Sequence, residues 1–299
     1  PDPVRVEALA RAIVHRGRHR SRMVAGSCAL LQAATPTTPE ALRERLPLRH
    51  PAADVWLVAD ARIDNRRELG RQLRTTGLPL DTDADLILAS YDRWGADLCR
   101  RFRGDFAFAV WDGEQQLLVL ARDHFGVRPL CWTDAGGHPV AASTPAAVLD
   151  GAGLEPRFDV DHLVDGASGR WECRTSTVGR GGQEVEAGTV LVVTPGRHTV
   201  QRYWTPPTAV VSVGPQEAAE AMRTELERSV RERLRAIGPV GCEVSGGFDS
   251  STVLALAAAE VPPSQLVAMA LTYPGMDCDE TPYITAVERH VGVAVHRLD

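Results

Sequence analysis

From residue 240 onward the chain repeats one pattern of apolar strands separated by helices. The segments are 240–244, 250–260, 266–272, 279–290 and 293–298. Strands that alternate with helices run parallel, because each crossover helix carries the chain back to the same end of the sheet. Pro262-Pro263 stops the first helix, and Pro274-Gly275 makes a turn. The pattern predicts an α/β domain with a doubly wound parallel sheet. Only three such strands are present, so this domain is expected to be thin and incomplete.

The first two-thirds reads differently. "DVWLVADARID" (54–64) is an apolar strand, and "NRRELGRQLRTTG" (65–77) places Leu69 and Leu73 four apart before a glycine stop. "DADLILASYDRWG" (83–95) is a second helix. "DFAFAVWDGEQQLLVLARD" (105–123) predicts two strands around Asp112-Gly113, and "GTVLVVTPGRHTVQRYW" (188–204) predicts a hairpin turning at Pro195-Gly196. "TPPTAVVSVGP" (205–215) reads as a linker. A long helix follows over 216–237, with Met222, Leu226, Val230 and Leu234 on one stripe expected to face a core. The expected domains are therefore 1–204 and 216–299.

Composition removes several classes of function. The sequence has no lysine, and all 33 of its basic side chains are arginines. A Walker-A phosphate loop needs a lysine and is excluded. A net charge of -6 argues against bulk attraction to nucleic acid. No run of 18 apolar residues predicts a membrane span, and the first residues lack a signal-peptide layout. The six cysteines (28, 99, 131, 173, 242 and 278) form no C-x-x-C unit. They are expected to be reduced, mostly buried thiols of a cytoplasmic protein.

The chemistry concentrates at "SGGFDSS" (245–251), between a predicted strand and a predicted helix. Ligands of open α/β sheets sit beyond the carboxyl ends of the strands. Gly246 and Gly247 permit a sharp turn and a close backbone approach. The amides of Asp249, Ser250 and Ser251 are expected to be free donors at the helix N-terminus, where the dipole favours phosphate. Ser245, Ser250 and Ser251 add hydroxyls. Asp249 is the odd member, since a carboxylate beside phosphate implies a bridging Mg2+. The plain alternative is a serine-capped helix without a ligand.

The loop "SGGFDSS" resembles the pyrophosphate-binding loop of the ATP pyrophosphatase superfamily. "FRGDFAFAVWDGEQQLLVLARDHFGVRPLCW" (102–132) resembles the glutaminase domain of the asparagine synthetase family. "IVHRG" (13–17), "DTDADLILASYDRWG" (81–95), "AASTPAAVL" (141–149) and "DCDETPYITAVERHVGVAVHRLD" (277–299) fit the same family in the same order. The resemblance implies an αββα sandwich of the N-terminal-nucleophile type, followed by an ATP-pyrophosphatase domain. It implies ATP and Mg2+ as cofactors and an AMP- and pyrophosphate-forming amide ligase. Site residues carried over are Val244, Ser245, Gly246, Gly247, Asp249, Ser250, Ser251 and Leu271 for ATP. Asp249, and more weakly Asp279, carry over for the metal. Val244 and Leu271 end the strands flanking the loop, at positions that contact adenosine in relatives. Without the resemblance, Asp277, Asp279 and Glu280 read as N-terminal helix charge. In the family a lysine and further acidic residues from a later segment complete the chemistry. These residues alone are therefore expected to turn over little or nothing.

The departures from the family concern glutamine. Its glutaminase uses an N-terminal cysteine whose α-amine is the base. This sequence starts at Pro1, and Cys28 is internal. The family's Asn-Gly-Glu triplet corresponds here to Asp60, Ala61 and Arg62, which reverses the charge offered to the substrate's ammonium. The family's substrate-binding arginine is absent from "SCALLQAATP", while Asp83 matches. His124 corresponds to a structural position, although His15 and His124 are chemically able to act as bases. The resemblance then points to an inactive glutaminase and to the β-lactam synthetase and lasso-peptide cyclase branches. There a carboxylate and an amine, from a small molecule or peptide, are joined with possible help from peptide-maturation partners. A glutamine-hydrolysing asparagine synthetase and a non-catalytic scaffold are the alternatives.

Overall fold

The computed structural model describes residues 1–170 and 175–298. It divides into two compact units. The first holds Pro1–Pro36 and Arg43–Pro207, and the second holds Thr37–Leu42 and Thr208–Asp299.

In the first unit, α1 (Pro3–Ala12) precedes the hairpin of β1 (His19–Ala25) and β2 (Cys28–Ala34). β3 (Leu48–Arg49) and β4 (Val55–Ile63) lead to α2 (Arg66–Leu73) and α3 (Asp83–Trp94). β5 (Gly104–Asp112) and β6 (Leu117–Arg122) form the expected hairpin. Its turn is longer than Asp112-Gly113 suggests, with the Asp112 carboxylate accepting from the Gln115 amide at 2.9 Å. β7 (Cys131–Ala135), β8 (His138–Ala142), α4 (Pro145–Ala152) and α5 (Val160–Ser168) follow. β9 (Gln183–Glu184), β10 (Thr189–Thr194) and β11 (Arg197–Arg202) complete the unit.

The sheets run β11-β10-β6-β5-β4-β3 and β8-β7-β9. Alternation along β5 and β6 sends side chains to two cores. Phe106, Phe108, Val110 and Val119 join Leu69, Leu73, Leu86 and Ile87 of α2 and α3. Ala107, Leu118 and Leu120 join Leu130, Trp132 and Val185 on the other side. With α4 packed on β7 and β8, the layers read helix, sheet, sheet, helix, as the αββα expectation requires. α3 starts in a capping box between Thr82 and Asp85, and the buried Asp83 beside it pairs with Arg66.

The second unit contains α6 (Pro215–Arg233), β12 (Val240–Glu243), α7 (Phe248–Glu260), β13 (Leu266–Leu271), α8 (Thr281–Val291) and β14 (Val295–Leu298). Its three strands are parallel in the order β12-β13-β14. Two expectations need correction. The strand order is sequential, and one core collects Val230 of α6, Leu254 and Ala257 of α7, and Ile284 of α8 on a single face. The opposite face leaves Met269 and Leu271 exposed, so among the described residues helices cover one side of this sheet and the doubly wound arrangement is not seen. The α6 stripe also holds only in part. The helix ends at Arg233, Val230 is buried, and Met222 is 66% exposed because none of the described elements covers it on the first half of α6. The segment 37–42 belongs to this unit through Glu40, which pairs with Arg235 at 2.7 Å, and the Thr37 carbonyl, which accepts from the Ile237 amide.

Cys28, Cys99, Cys131, Cys242 and Cys278 are unbridged. Cys173 lies outside the described residues. No described helix is long and apolar enough to cross a membrane.

Candidate functional site

β12 ends at Glu243, and the chain turns through Val244–Gly247 into α7. Gly246 has φ +79, in the left-handed region that favours glycine. A Cβ there would also meet Tyr283 Cβ at 2.8 Å and the Ile284 nitrogen at 3.2 Å. Its bareness therefore seats the loop against the first turn of α8, a demand of the fold as well as of any ligand.

α7 begins at Phe248, two residues before the predicted start, and Gly247 supplies no side-chain cap. The Ser251 amide donates to the Gly247 carbonyl at 3.1 Å. The free donors are therefore the amides of Phe248, Asp249 and Ser250, not those of Asp249 to Ser251. None of the three has an acceptor among the described residues. Ser250 Oγ accepts from the Ser245 amide and sits 3.1 Å from Ser245 Oγ, so the two hydroxyls brace the turn. Ser251 Oγ is buried without a partner among the described residues, and it does not line the loop's surface as expected. Asp249 is exposed beside the free amides.

The flanking positions separate. Val244 is 1% exposed, and its side chain lies in the core beneath the helices. Leu271 is 55% exposed on the uncovered face. The Val244 side chain cannot meet a ligand, so only backbone contact is open to it. Asp279 is committed to the chain. Its Oδ1 accepts from the Thr281 hydroxyl at 2.6 Å, the Thr281 amide at 3.2 Å and the Tyr273 amide at 3.3 Å. The Thr281 hydroxyl, with these amides, holds its carboxyl below the usual carboxylate range. Asp277 and Glu280 have no side-chain metal partner, and no group of three His, Cys, Asp or Glu among the described residues could enclose a metal.

The first unit's candidate positions are occupied differently. On β4, Asp60 pairs with Arg16 at 3.2 Å and with Arg128 at 3.3 Å. Arg62 donates to Asp64 at 2.9 Å, with both side chains largely buried. The Asp60 pairs are about one-third exposed, so each contributes roughly 0–1 kcal/mol of stability. Their consequence is occupancy, since the charged positions already have partners. Arg128 is held by Asp123, a buried carboxylate that accepts the amides of Phe106, Phe125, Val127 and Arg128. Burial raises the Cys28 thiol to about 12, the reverse of an activated nucleophile. His124 stands among Phe106, Tyr203 and Trp204, and burial lowers its pKa. His15 is exposed in a short turn. Asp83 is buried against Arg66.

Sequence reasoning missed Arg16 and Arg128 as partners of Asp60, because neither is near it in the chain. It missed the Phe248 amide by starting the helix too late, although the Gly-Gly pair already marks the boundary.

The chain thus carries an antiparallel sandwich with layered helices, followed by a parallel sheet whose first turn offers open amides. Its first part, residues 2–204, matches the glutamine amidotransferase domain family, and residues 221–299 match the asparagine synthase family. The chain belongs to the asparagine synthetase family. It is 32% identical over 212 residues to a putative glutamine-hydrolyzing asparagine synthetase of Mycobacterium tuberculosis, covering 67% of this chain and 32% of that protein. It is 28% identical to glutamine-hydrolyzing asparagine synthetase 1 of Bacillus subtilis, over 71% and 34% of the two chains. Amidase chyE of Penicillium rubens is 31% identical over 59% of this chain and 26% of its own. The chain thus spans about a third or less of the length of these relatives.

Proposed function

We propose that this chain supplies the ATP-activating loop of an amide-bond-forming ligase that does not draw its nitrogen from glutamine. The observation that carries the reading is the end of β12. There the Phe248, Asp249 and Ser250 amides stand open at the start of a 13-residue helix. Helix N-termini with open amides stabilise phosphate oxygens through hydrogen bonds and the helix dipole.

In the proposed reaction a carboxylate oxygen of the substrate attacks the α-phosphorus of ATP. The bond from that phosphorus to the bridging oxygen breaks, and pyrophosphate leaves with the electron pair. The loop amides and the Ser245 and Ser250 hydroxyls hold the departing charge as it grows. An amine then attacks the acyl carbon, loses a proton and expels AMP. Asp249 is the residue here that would hold Mg2+, and the ion when bound would offset charge on the phosphates. One exposed carboxylate without an enclosing cage suits an ion held mainly by phosphates and water. Asp279 fits a metal role poorly, because three donors already converge on its Oδ1.

The strand at 60–62 supports glutamine independence. A substrate ammonium brought to Arg62 would meet a like charge, and Asp60 is shared between two arginines. Cys28 is a half-buried thiol whose pKa is raised to about 12, which keeps it protonated. The proposed substrate therefore carries its own amine as well as its carboxylate, as a peptide closing into a ring does. Holding both groups in one cavity makes the second step effectively intramolecular. The names of these relatives favour the competing reading, a glutamine-hydrolysing synthetase.

ATP–pyrophosphate exchange on the protein that contains this chain tests the ligase reading. Exchange is expected with a suitable carboxylate substrate and is expected to fall at least about 100-fold in Asp249→Ala, the size of losing a main charge-stabilising group. Glutamate release from glutamine tests the nitrogen source. Release that supports turnover would refute glutamine independence while leaving the ATP reading intact.

A further inference from the structure

A second charged surface lies in the first unit, outside both candidate sites. α2 carries Arg67 and Arg71, and Arg74 opens the short 3-10 turn that continues it, at the i, i+4, i+7 spacing that brings side chains to one side. All three are exposed, and none has an ion-pair partner among the described residues. Their neighbour Arg66 behaves differently and is tied to Asp83. With Gly70 and Leu80, the three free arginines line a groove of about 640 Å³.

Gly70 is an independent observation. Glycine inside a helix destabilises it relative to alanine, so it usually answers a steric demand. Here none of the described residues makes that demand. Its backbone is helical, and an added Cβ would meet nothing within 4 Å. The missing side chain leaves the floor of the groove open to something outside the fold.

We infer that this groove binds an acidic peptide segment in extended form, with carboxylates on the three guanidiniums and an apolar side chain against Leu80. The spacing agrees. Arg67 and Arg71 are separated by about 6 Å along the helix axis at 1.5 Å per residue. Alternate side chains of an extended peptide are spaced by about 6.6 Å at 3.3 Å per residue. Guanidinium groups pair with carboxylates in two-point hydrogen bonds. Single-stranded nucleic acid fits less well. It requires stacking platforms, the groove lining has no aromatic residue, and the chain is net negative at -6. The surface belongs to the first unit and the ATP loop to the second, and peptide binding needs neither ATP nor turnover.

The test is fluorescence anisotropy on the whole protein with a labelled twelve-residue peptide of alternating Glu and Leu. A Gln-for-Glu peptide and a dT oligonucleotide serve as competitors. The Glu peptide is expected to bind, to weaken as salt is raised, and to lose at least tenfold in affinity in Arg71→Ala/Arg74→Ala. Gly70→Leu, at a position open to solvent, is expected to keep the thermal midpoint while blocking the groove and weakening the peptide to a similar degree. Unchanged affinity in both variants, equal binding of the Gln peptide, or tighter binding of the oligonucleotide would each overturn the inference.

Discussion

The turn at 245–251 and the strand at 60–62 treat polar groups in opposite ways. At the turn, the Phe248, Asp249 and Ser250 amides have no acceptor among the described residues. On β4, the charges of Asp60 and Arg62 are met by Arg16, Arg128 and Asp64. Donors left open at a helix start favour an incoming anion. Charges that neutralise one another leave no comparable attraction for a zwitterionic substrate. The contrast separates a turn whose donors stand open from a strand whose charges are paired within its own unit.

The largest expected effect is at Asp123. Asp123→Ala strips four backbone amides of their acceptor and frees the loop that carries Arg128. A loss of roughly 3–5 kcal/mol follows from leaving a buried hydrogen-bond network unsatisfied, measured by urea unfolding of the first unit's tryptophan signal. Gly246→Val tests the second region. The positive φ and the contact with Tyr283 predict a loss of about 2–4 kcal/mol, together with lost pyrophosphate binding. A stable, binding-competent Gly246→Val protein would remove the reason given for that glycine.

Acid and base should separate the units next. Burial raises the Glu44 carboxyl of the first unit to about 7, from an ordinary value near 4.5. Its protonated form is favoured by folding, so its contribution is full below about pH 4.5 and is lost as pH rises toward 7. The size is on the order of 1–3 kcal/mol. Glu44→Gln should flatten that slope, because an amide oxygen can still accept from the Ala84 amide, as Glu44 does at 2.8 Å. In the second unit, hydrogen bonds from Arg297, Arg231 and Thr281 lower the Glu288, Glu260 and Asp279 carboxyls. Their contribution is present above the ordinary carboxylate range and is lost as pH falls below it. Unfolding followed from about pH 2 to about 7.5 should thus show the first unit losing stability as pH rises toward 7 and the second losing it only as pH falls below the ordinary carboxylate range. The smallest effect concerns thiols. Iodoacetamide at pH 8 should label exposed Cys278 well before Cys28, whose thiol is raised to about 12.

Much of this was legible in the sequence because it is written in local period and spacing. The strand–helix alternation after residue 240 gave the parallel strands, and the Gly-Gly-x-Asp-Ser-Ser string marked the turn. What stayed hidden depends on contacts far apart in the chain. Arg128 is 68 positions from Asp60, and no periodicity joins them. Val244 reads as a candidate ligand contact by position, but the pleat sends its side chain into the core. The α6 stripe predicted a buried face, but an amphipathic pattern records only that a helix can pack, not what lies beside Met222. Gly246 was assigned to ligand approach, whereas the packing of α8 already requires it.

The most direct test of the central claim is amide NMR of the chain titrated with pyrophosphate and Mg2+, with glutamine as the parallel ligand. Pyrophosphate is expected to shift the Phe248, Asp249 and Ser250 amides first and furthest, while glutamine leaves Asp60, Ala61 and Arg62 unmoved. Loop amides that stay still under saturating pyrophosphate, or a glutamine response centred on β4, would contradict the account.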